Sequence, residues 1–219
     1  MSPRLHLPWI RYCCPRDGNF AEDFGFLLAP DQSSWTGGDA SPVSKLEDEQ
    51  CVVFLGEPGI GKSSVLGKEY EAAARRAPKE RVLWADLGSI GSEGSVRLLL
   101  QHNDLRSWMS DDSRMWLFLD SLDEATVRVD VMVALLEDWL EGIPSDRLSI
   151  RIGCRTARWP ESLEAALASQ WKAPRVVELL PLTRLDAAAS AESAGVGGKE
   201  FVAAVIQADV GALAARPIT

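Results

Sequence analysis

Gly56-Glu57-Pro58-Gly59-Ile60-Gly61-Lys62-Ser63 follows the apolar run Cys51-Val52-Val53-Phe54-Leu55 and precedes a segment rich in helix formers, residues 64–76. A G-x-x-x-x-G-K-S pattern between a buried strand and a helix is that of a phosphate-binding loop. The glycines permit backbone angles that turn successive N–H groups inward as an anion nest, and a helix starting at Lys62 adds its positive N-terminal end. The β- and γ-phosphates of a nucleoside triphosphate are the expected guest, cradled by Gly56, Glu57, Pro58, Gly59, Ile60 and Gly61. Lys62 reaches between those phosphates as a point charge, the Ser63 hydroxyl completes the oxygen shell of Mg2+, and Ser64 lies near the α-phosphate. The competing reading is a glycine-rich strand-to-helix turn that binds nothing. The strand in front of the motif counts against it.

Outward from the loop, strands alternate with helices. Residues 81–87 form the next expected strand, followed by a glycine-rich loop at 88–94, a helix over 95–109 and a strong strand at 115–119. Val129, Met132, Val133, Leu136 and Leu140 share one face of a helix over 129–141. Strands at 148–154 and 176–180 flank a helix at 161–171. This alternation calls for right-handed crossovers and a parallel five-stranded sheet covered on both faces, an α/β three-layer sandwich of the P-loop NTPase kind. Ligands then sit at the carboxyl ends of the strands. Helices at 200–207 and 210–215 lie beyond the sheet. The expected organisation is an irregular N-terminal strap at 1–45, a core at 46–183 and the start of a helical lid at 184–219. In the strap, Pro8, Pro15, Pro30, Pro42 and the Trp35-Thr36-Gly37-Gly38-Asp39 cluster break any long period. Its short apolar pieces, 7–12 and 24–29, dock as strands or straps.

Leu117-Phe118-Leu119-Asp120-Ser121-Leu122-Asp123-Glu124-Ala125 sets three carboxylates just past a buried strand. Asp120, at the strand tip, is placed to hold magnesium through its waters, and either Asp123 or Glu124 to polarise the water that attacks the γ-phosphate. The competing reading is an acidic helix N-terminus. Arg155, in Gly153-Cys154-Arg155-Thr156-Ala157-Arg158, ends the next strand and presents planar, permanently charged donors to the γ-phosphate. Its rival role is a salt bridge to the acids of the neighbouring strand, and Arg158 is the substitute candidate.

Together, residues 56–63, the strand ending in Asp120-Ser121-Leu122-Asp123-Glu124, Arg155 and the downstream Glu178-Leu179-Leu180-Pro181-Leu182 resemble the NACHT branch of the STAND nucleotide-triphosphatases. The acid pair three and four positions past the metal-binding Asp is the discriminating detail. The resemblance covers residues 46–219. It implies that Asp120 is the magnesium ligand, Glu124 or Asp123 the hydrolytic acid and Arg155 the first sensor. Ala212-Leu213-Ala214-Ala215-Arg216-Pro217 resembles the lid segment whose proline touches adenine, which puts Pro217 at the nucleotide. ATP and Mg2+ are the implied cofactors, adenine being favoured also by the lack of an N-K-x-D guanine-reading motif. The family implies a slowly hydrolysing switch whose nucleotide state, ATP or ADP, biases self-association in signalling or antiviral-type defence. Its winged helix and repeat-built sensor are not found here, which suggests a fragment or truncated product. Alternatives are a small-molecule or nucleoside kinase, a scaffold that holds nucleotide without turnover, and a AAA-type DNA-remodelling ATPase.

Composition narrows the partners. The 219 residues carry 23 Lys and Arg against 32 Asp and Glu, a net charge of −9. No global positive field gathers nucleic acid or an anionic membrane, so direct binding to either is not expected. The local basic stretch 147–158 is expected on a solvated edge or beside the nucleotide. Four cysteines at 13, 14, 51 and 154 have no knuckle spacing and read as reduced thiols. No apolar signal core follows Met1-Ser2-Pro3-Arg4 and no apolar run reaches membrane-spanning length, so a cytoplasmic location is expected. His6 and His102 read as surface or packing residues, and the eight tryptophans as core anchors.

Overall fold

In the computed structural model, which describes residues 9–30, 38–76 and 80–217, the chain divides into two units. The first takes Met1–Lys45, Pro58–Gly61 and Glu178–Thr219, and the second takes Leu46–Glu57 and Lys62–Val177. The expectations placed on His6, on Pro8, on the start of the 7–12 piece and on Trp35-Thr36-Gly37 lie outside the described residues.

The N-terminal stretch supplies β1 (Tyr12–Pro15), β2 (Glu22–Asp23), β3 (Phe26–Leu27) and β4 (Ser41–Pro42). There follow β5 (Cys51–Leu55), α1 (Lys62–Arg75), β6 (Glu80–Asp86), α2 (Glu93–Leu100), α3 (Asn103–Met109) and β7 (Arg114–Asp120). Next come α4 (Val129–Glu141), β8 (Leu148–Cys154), α5 (Glu161–Gln170) and β9 (Arg175–Leu179), then α6 (Arg184–Ser193), α7 (Gly198–Gln207) and α8 (Gly211–Ala214).

The second unit is an α/β three-layer arrangement around a mostly parallel sheet with strand order β9-β5-β8-β7-β6. The pairs β5–β8, β8–β7 and β7–β6 are parallel. Alternate residues sort the layers. Cys51, Val53 and Leu55, Met115, Leu117 and Leu119, and Leu148, Ile150, Ile152 and Cys154 share one face with Val96, Leu105, Trp108, Met132, Leu136, Leu163 and Leu167 from α2 to α5. The other face is covered by α1, where Tyr70 meets Trp84 and Phe118 edge-on at 5.7 and 5.6 Å. Both faces are dry, so β5 reads as an unbroken apolar run and every one of its residues is buried. Each large side chain so buried contributes about 1.5–3 kcal/mol.

Two expectations are corrected here. The single helix over 95–109 is two helices. Ser92 caps α2 by accepting from the Ser95 N–H, and His102, in extended conformation, caps α3 by accepting the Asp104 N–H at Nδ1, 3.2 Å away. A side chain competing for backbone donors thus stops one helix and starts the next. The basic stretch 147–158 does not stand at a solvated edge or line a phosphate site as a block. Arg151 is 0% exposed. It points from β8 under α1, pairs with Glu69, stacks 5.0 Å from the Trp116 ring and donates to the carbonyls of Leu46, Glu47, Glu49, Gln50 and Ile150. Arg147 donates to the carbonyls of Trp108, Asp111 and Ser113.

In the first unit β1 pairs with β4 and β2 with β3, both antiparallel. Leu180 N–H donates to Tyr12 O at 3.0 Å, Leu27 N–H to Leu182 O at 3.1 Å and Leu182 N–H to Ala215 O at 2.9 Å. A small core of Phe26, Ala187, Val205 and Ala215 joins these segments. Gly25, at φ 79°, has no room for a Cβ, which would lie 2.4 Å from Ala212 N. Helix α6 opens on a capping box in which Thr183 and Asp186 satisfy each other's backbone N–H. All four cysteines are buried thiols, and burial pushes those of Cys51 and Cys154 up to about 12. Among the described residues no helix is long and apolar enough to cross a membrane.

Candidate functional site

Parallel register brings the carboxyl ends of the second unit's strands level, with Asp86 opposite Asp120 and Leu55 opposite Cys154. The residues after β5 turn through Gly59 at φ 80° and Gly61 at φ 99°, angles that a side chain would strain. Lys62 and Ser63 then open α1, which carries Ser64, exposed, in its first turn. Lys62 Nζ curls back over the loop, donating to Gly56 O at 2.6 Å and Glu57 O at 3.2 Å. Partial burial lowers its pKa, and Asp123 opposes that shift.

The Ser63 hydroxyl lies within reach of the Asp120 carboxylate. Asp120 is 6% exposed. Burial raises its pKa, while the Ser63 hydroxyl and the Ser121 N–H, 2.9 Å from Oδ1, hold it down. A hydroxyl and a carboxylate in contact form the hard-oxygen pair that Mg2+ takes in preference to nitrogen or sulfur. Gly153 on the next strand makes the packing possible, since a Cβ there would sit 2.9 Å from Asp120 Oδ1 and from Leu66 Cδ1. The signal for Gly153 in the sequence is a lone glycine in an apolar strand, which marks close approach by a neighbour.

Past Asp120 the chain reverses at Ser121, left-handed at φ 59°, a conformation costing about 1–2 kcal/mol for a residue with a side chain. The tight turn Leu122–Glu124 follows, with Leu122 buried. Its two acids have different surroundings. The Asp123 side chain is 3% exposed, accepts the Arg155 N–H at 2.9 Å, pairs with Arg155 Nε at 2.9 Å and takes a hydrogen bond from the Cys154 thiol. The Glu124 side chain is 53% exposed and meets Arg155 Nη2 at 2.9 Å. Arg155 is thus gripped by both acids, Glu124 first and then Asp123 raising its pKa. The salt-bridge role weighed for Arg155 is the one the geometry displays. Arg158 lies one short turn further on, exposed.

Pro58, Gly59, Ile60, Gly61 and Pro217 belong to the first unit. Within it, a Cβ on Gly61 would lie 3.1 Å from Pro217 Cγ, and Arg216 Nη1 donates to Pro58 O at 3.5 Å. The lid-segment proline therefore rests on the second half of the phosphate loop. Asp86, level with Asp120, lies within the strand expected over 81–87 and carries no motif of its own; it accepts the Gly88 N–H at 3.0 Å.

The fold is similar to that of the replication initiator DnaA bound to AMPPCP and single-stranded DNA, with TM-score 0.52 and 15% identity over 75% of this chain and 53% of that one. Domain III of DnaA from Thermotoga maritima gives 0.52 and 15%, over 86% and 82%. AMPPCP-bound DnaA from Aquifex aeolicus gives 0.50 and 16%, over 75% and 54%. The chain spans about half the length of the first and third of these. No protein-family model and no curated protein matches it. What is shared is the fold, an α/β three-layer arrangement with a mostly parallel central sheet.

Proposed function

We propose that the chain binds Mg·ATP and hydrolyses it slowly, as a NACHT-like switch module whose nucleotide state biases self-association in signalling or defence. The observation that carries this reading is the Asp120 carboxylate at the tip of β7, buried against Gly153 and within reach of the Ser63 hydroxyl one residue past the loop lysine. A loop, a lysine, a hydroxyl and a strand-tip carboxylate are the minimum set for a triphosphate and its cation. Mg2+, held by Ser63 and by Asp120 through water, would supply charge neutralisation on the β- and γ-oxygens.

The chain's own groups divide the remaining work. Lys62 exchanges the carbonyls of Gly56 and Glu57 for phosphate oxygens. Arg155 is shared between two carboxylates, so an arriving γ-phosphate competes for its fork of donors. Asp123, buried and holding Arg155 by its backbone as well, keeps the guanidinium in place. Glu124, half exposed and paired with the Arg155 guanidinium, is the acid that orients water once Arg155 turns to phosphate. Pro217 is the residue that the resemblance sets against adenine.

Glu124→Gln should therefore retain Mg·ATP with affinity within about threefold of wild type while phosphate release slows about 100- to 10,000-fold, the usual span for loss of an acid–base group. Calorimetry and single-turnover phosphate release read the two quantities separately. Unchanged turnover would move the role away from Glu124, and failure of the wild-type chain to bind Mg·ATP would end the nucleotide reading altogether.

One observation favours a second reading: the first DnaA structure holds single-stranded DNA. The net charge of −9 argues the other way, because backbone neutralisation needs clustered cations. Labelled single-stranded DNA should show no rise in fluorescence anisotropy up to about 100 µM protein at low salt, where non-specific binders typically respond. A rise that collapses as salt increases would establish the DNA reading in its place.

A further inference from the structure

We propose that Arg11 is a positioning residue for the phosphate-binding loop, acting through the Ile60 carbonyl; this rests on the nucleotide reading above. Arg11 precedes β1 in the N-terminal stretch. Its side chain is 8% exposed. Nη2 donates to Ile60 O and to Leu180 O, both at 2.8 Å. Burial lowers the guanidinium pKa to about 10, with Asp186 and Cys13 opposing, so it stays charged at neutral pH.

A buried guanidinium is costly unless its donors are used. Here one nitrogen serves two carbonyls from segments 120 positions apart in the chain. The arrangement is braced, because the N–H of Leu180 in turn donates to Tyr12 O at 3.0 Å, so residues 11 and 12 grip Leu180 from both of its backbone groups. Arg11 is therefore a fixed point for the Ile60 carbonyl.

The consequence comes from peptide planarity. In a trans peptide the C=O of one residue and the N–H of the next lie in one plane and point in opposite directions. Pinning the Ile60 carbonyl towards Arg11 turns the Gly61 N–H to the other side of the loop. Gly61, at φ 99°, is a glycine with wide conformational freedom, so the local chain alone does little to define the direction of this peptide unit. Phosphate binding needs that N–H facing the anion, and a donor already aimed spends no reorganisation energy on binding. Arg11 need not touch the nucleotide to do this.

The test is a titration of Mg·ATP and Mg·ADP against wild type, Arg11→Ala and Arg11→Lys, with steady-state hydrolysis and thermal melting of each. The alanine variant should weaken both nucleotides about 10- to 30-fold and raise KM by the same factor with kcat within about twofold, since a loop N–H holds substrate and transition state alike. The lysine variant, which keeps the charge and can replace part of the contact, should recover about a third to two thirds of that loss on a logarithmic scale. A brace without a positioning role predicts otherwise: lower melting temperatures with Kd and KM within twofold of wild type, which would overturn the proposal. If the alanine chain does not fold, an unchanged Kd in a folded lysine variant, with no shift of the Gly61 amide resonance, overturns it equally. Wild type that binds no nucleotide removes the site reading itself, whereas wild-type binding matched by both variants removes only Arg11.

Discussion

Lys62→Ala raises the Kd for Mg·ATP at least about 100-fold in a calorimetric titration and leaves the melting temperature within a few degrees of wild type. The lysine is a partly buried cation whose present partners are two loop carbonyls, Gly56 O and Glu57 O. Those are weak partners for an ammonium compared with phosphate oxygens. A hydrogen bond to a charged group is worth about 1.5–3 kcal/mol, so two lost contacts to phosphate amount to about 3–6 kcal/mol, and each 1.4 kcal/mol is tenfold in affinity. The fold loses little, because the freed carbonyls can turn to water. Asp123 is steadied by Arg155 independently of Lys62. Mg·ATP binding unchanged in the variant would show that the loop is not the nucleotide site.

Arg151→Ala carries the largest expected loss of stability, about 3–5 kcal/mol, the range seen when one partner of a buried ion pair is removed. For a chain of this size each kcal/mol moves the melting temperature by about 2–4 °C, so thermal unfolding followed by circular dichroism should fall by about 6–20 °C. The reason lies in what stays behind. Glu69 keeps a carboxylate that burial already pushes up and that Arg151 holds down, and the carbonyls of Leu46 and Glu49 lose their shared donor. Replacing both partners with apolar residues, Arg151→Met with Glu69→Leu, should cost less than Arg151→Ala alone, because no uncompensated charge remains. An alanine variant that melts within about 2 °C of wild type would show that this buried pair does not hold the sheet to α1.

Much of the fold could be read from the chain because its signals are local. Strand β5 and the helix at 129–141 lie where composition and periodicity place them, since a strand buried on both faces and a helix with one apolar stripe each leave a mark within ten or so residues. The helix break at His102 left no such mark. It depends on an imidazole nitrogen taking a backbone N–H, a contact that periodicity does not register. Helix α6 was not anticipated as a separate element, because its alanines form no strong stripe; the capping box at Thr183 and the seating of Ala187 and Ala191 define it.

The candidate site divides in the same way. The order of residues alone determined that a glycine loop, a lysine and a hydroxyl follow one buried strand and that three carboxylates follow another. Those are demands on backbone angles and on residue chemistry at fixed offsets, and they are satisfied within a few bonds. Only the tertiary structure decided that Asp123 is enclosed while Glu124 faces water, that Gly153 makes room for Asp120, that Arg151 is buried against Glu69 and that Arg11 holds the Ile60 carbonyl. Each of these turns on which distant segment lies alongside and how much solvent it displaces. A charge keeps the same identity in any sequence context, but its solvation and its partners come from packing, so its role is set only once the chain has folded.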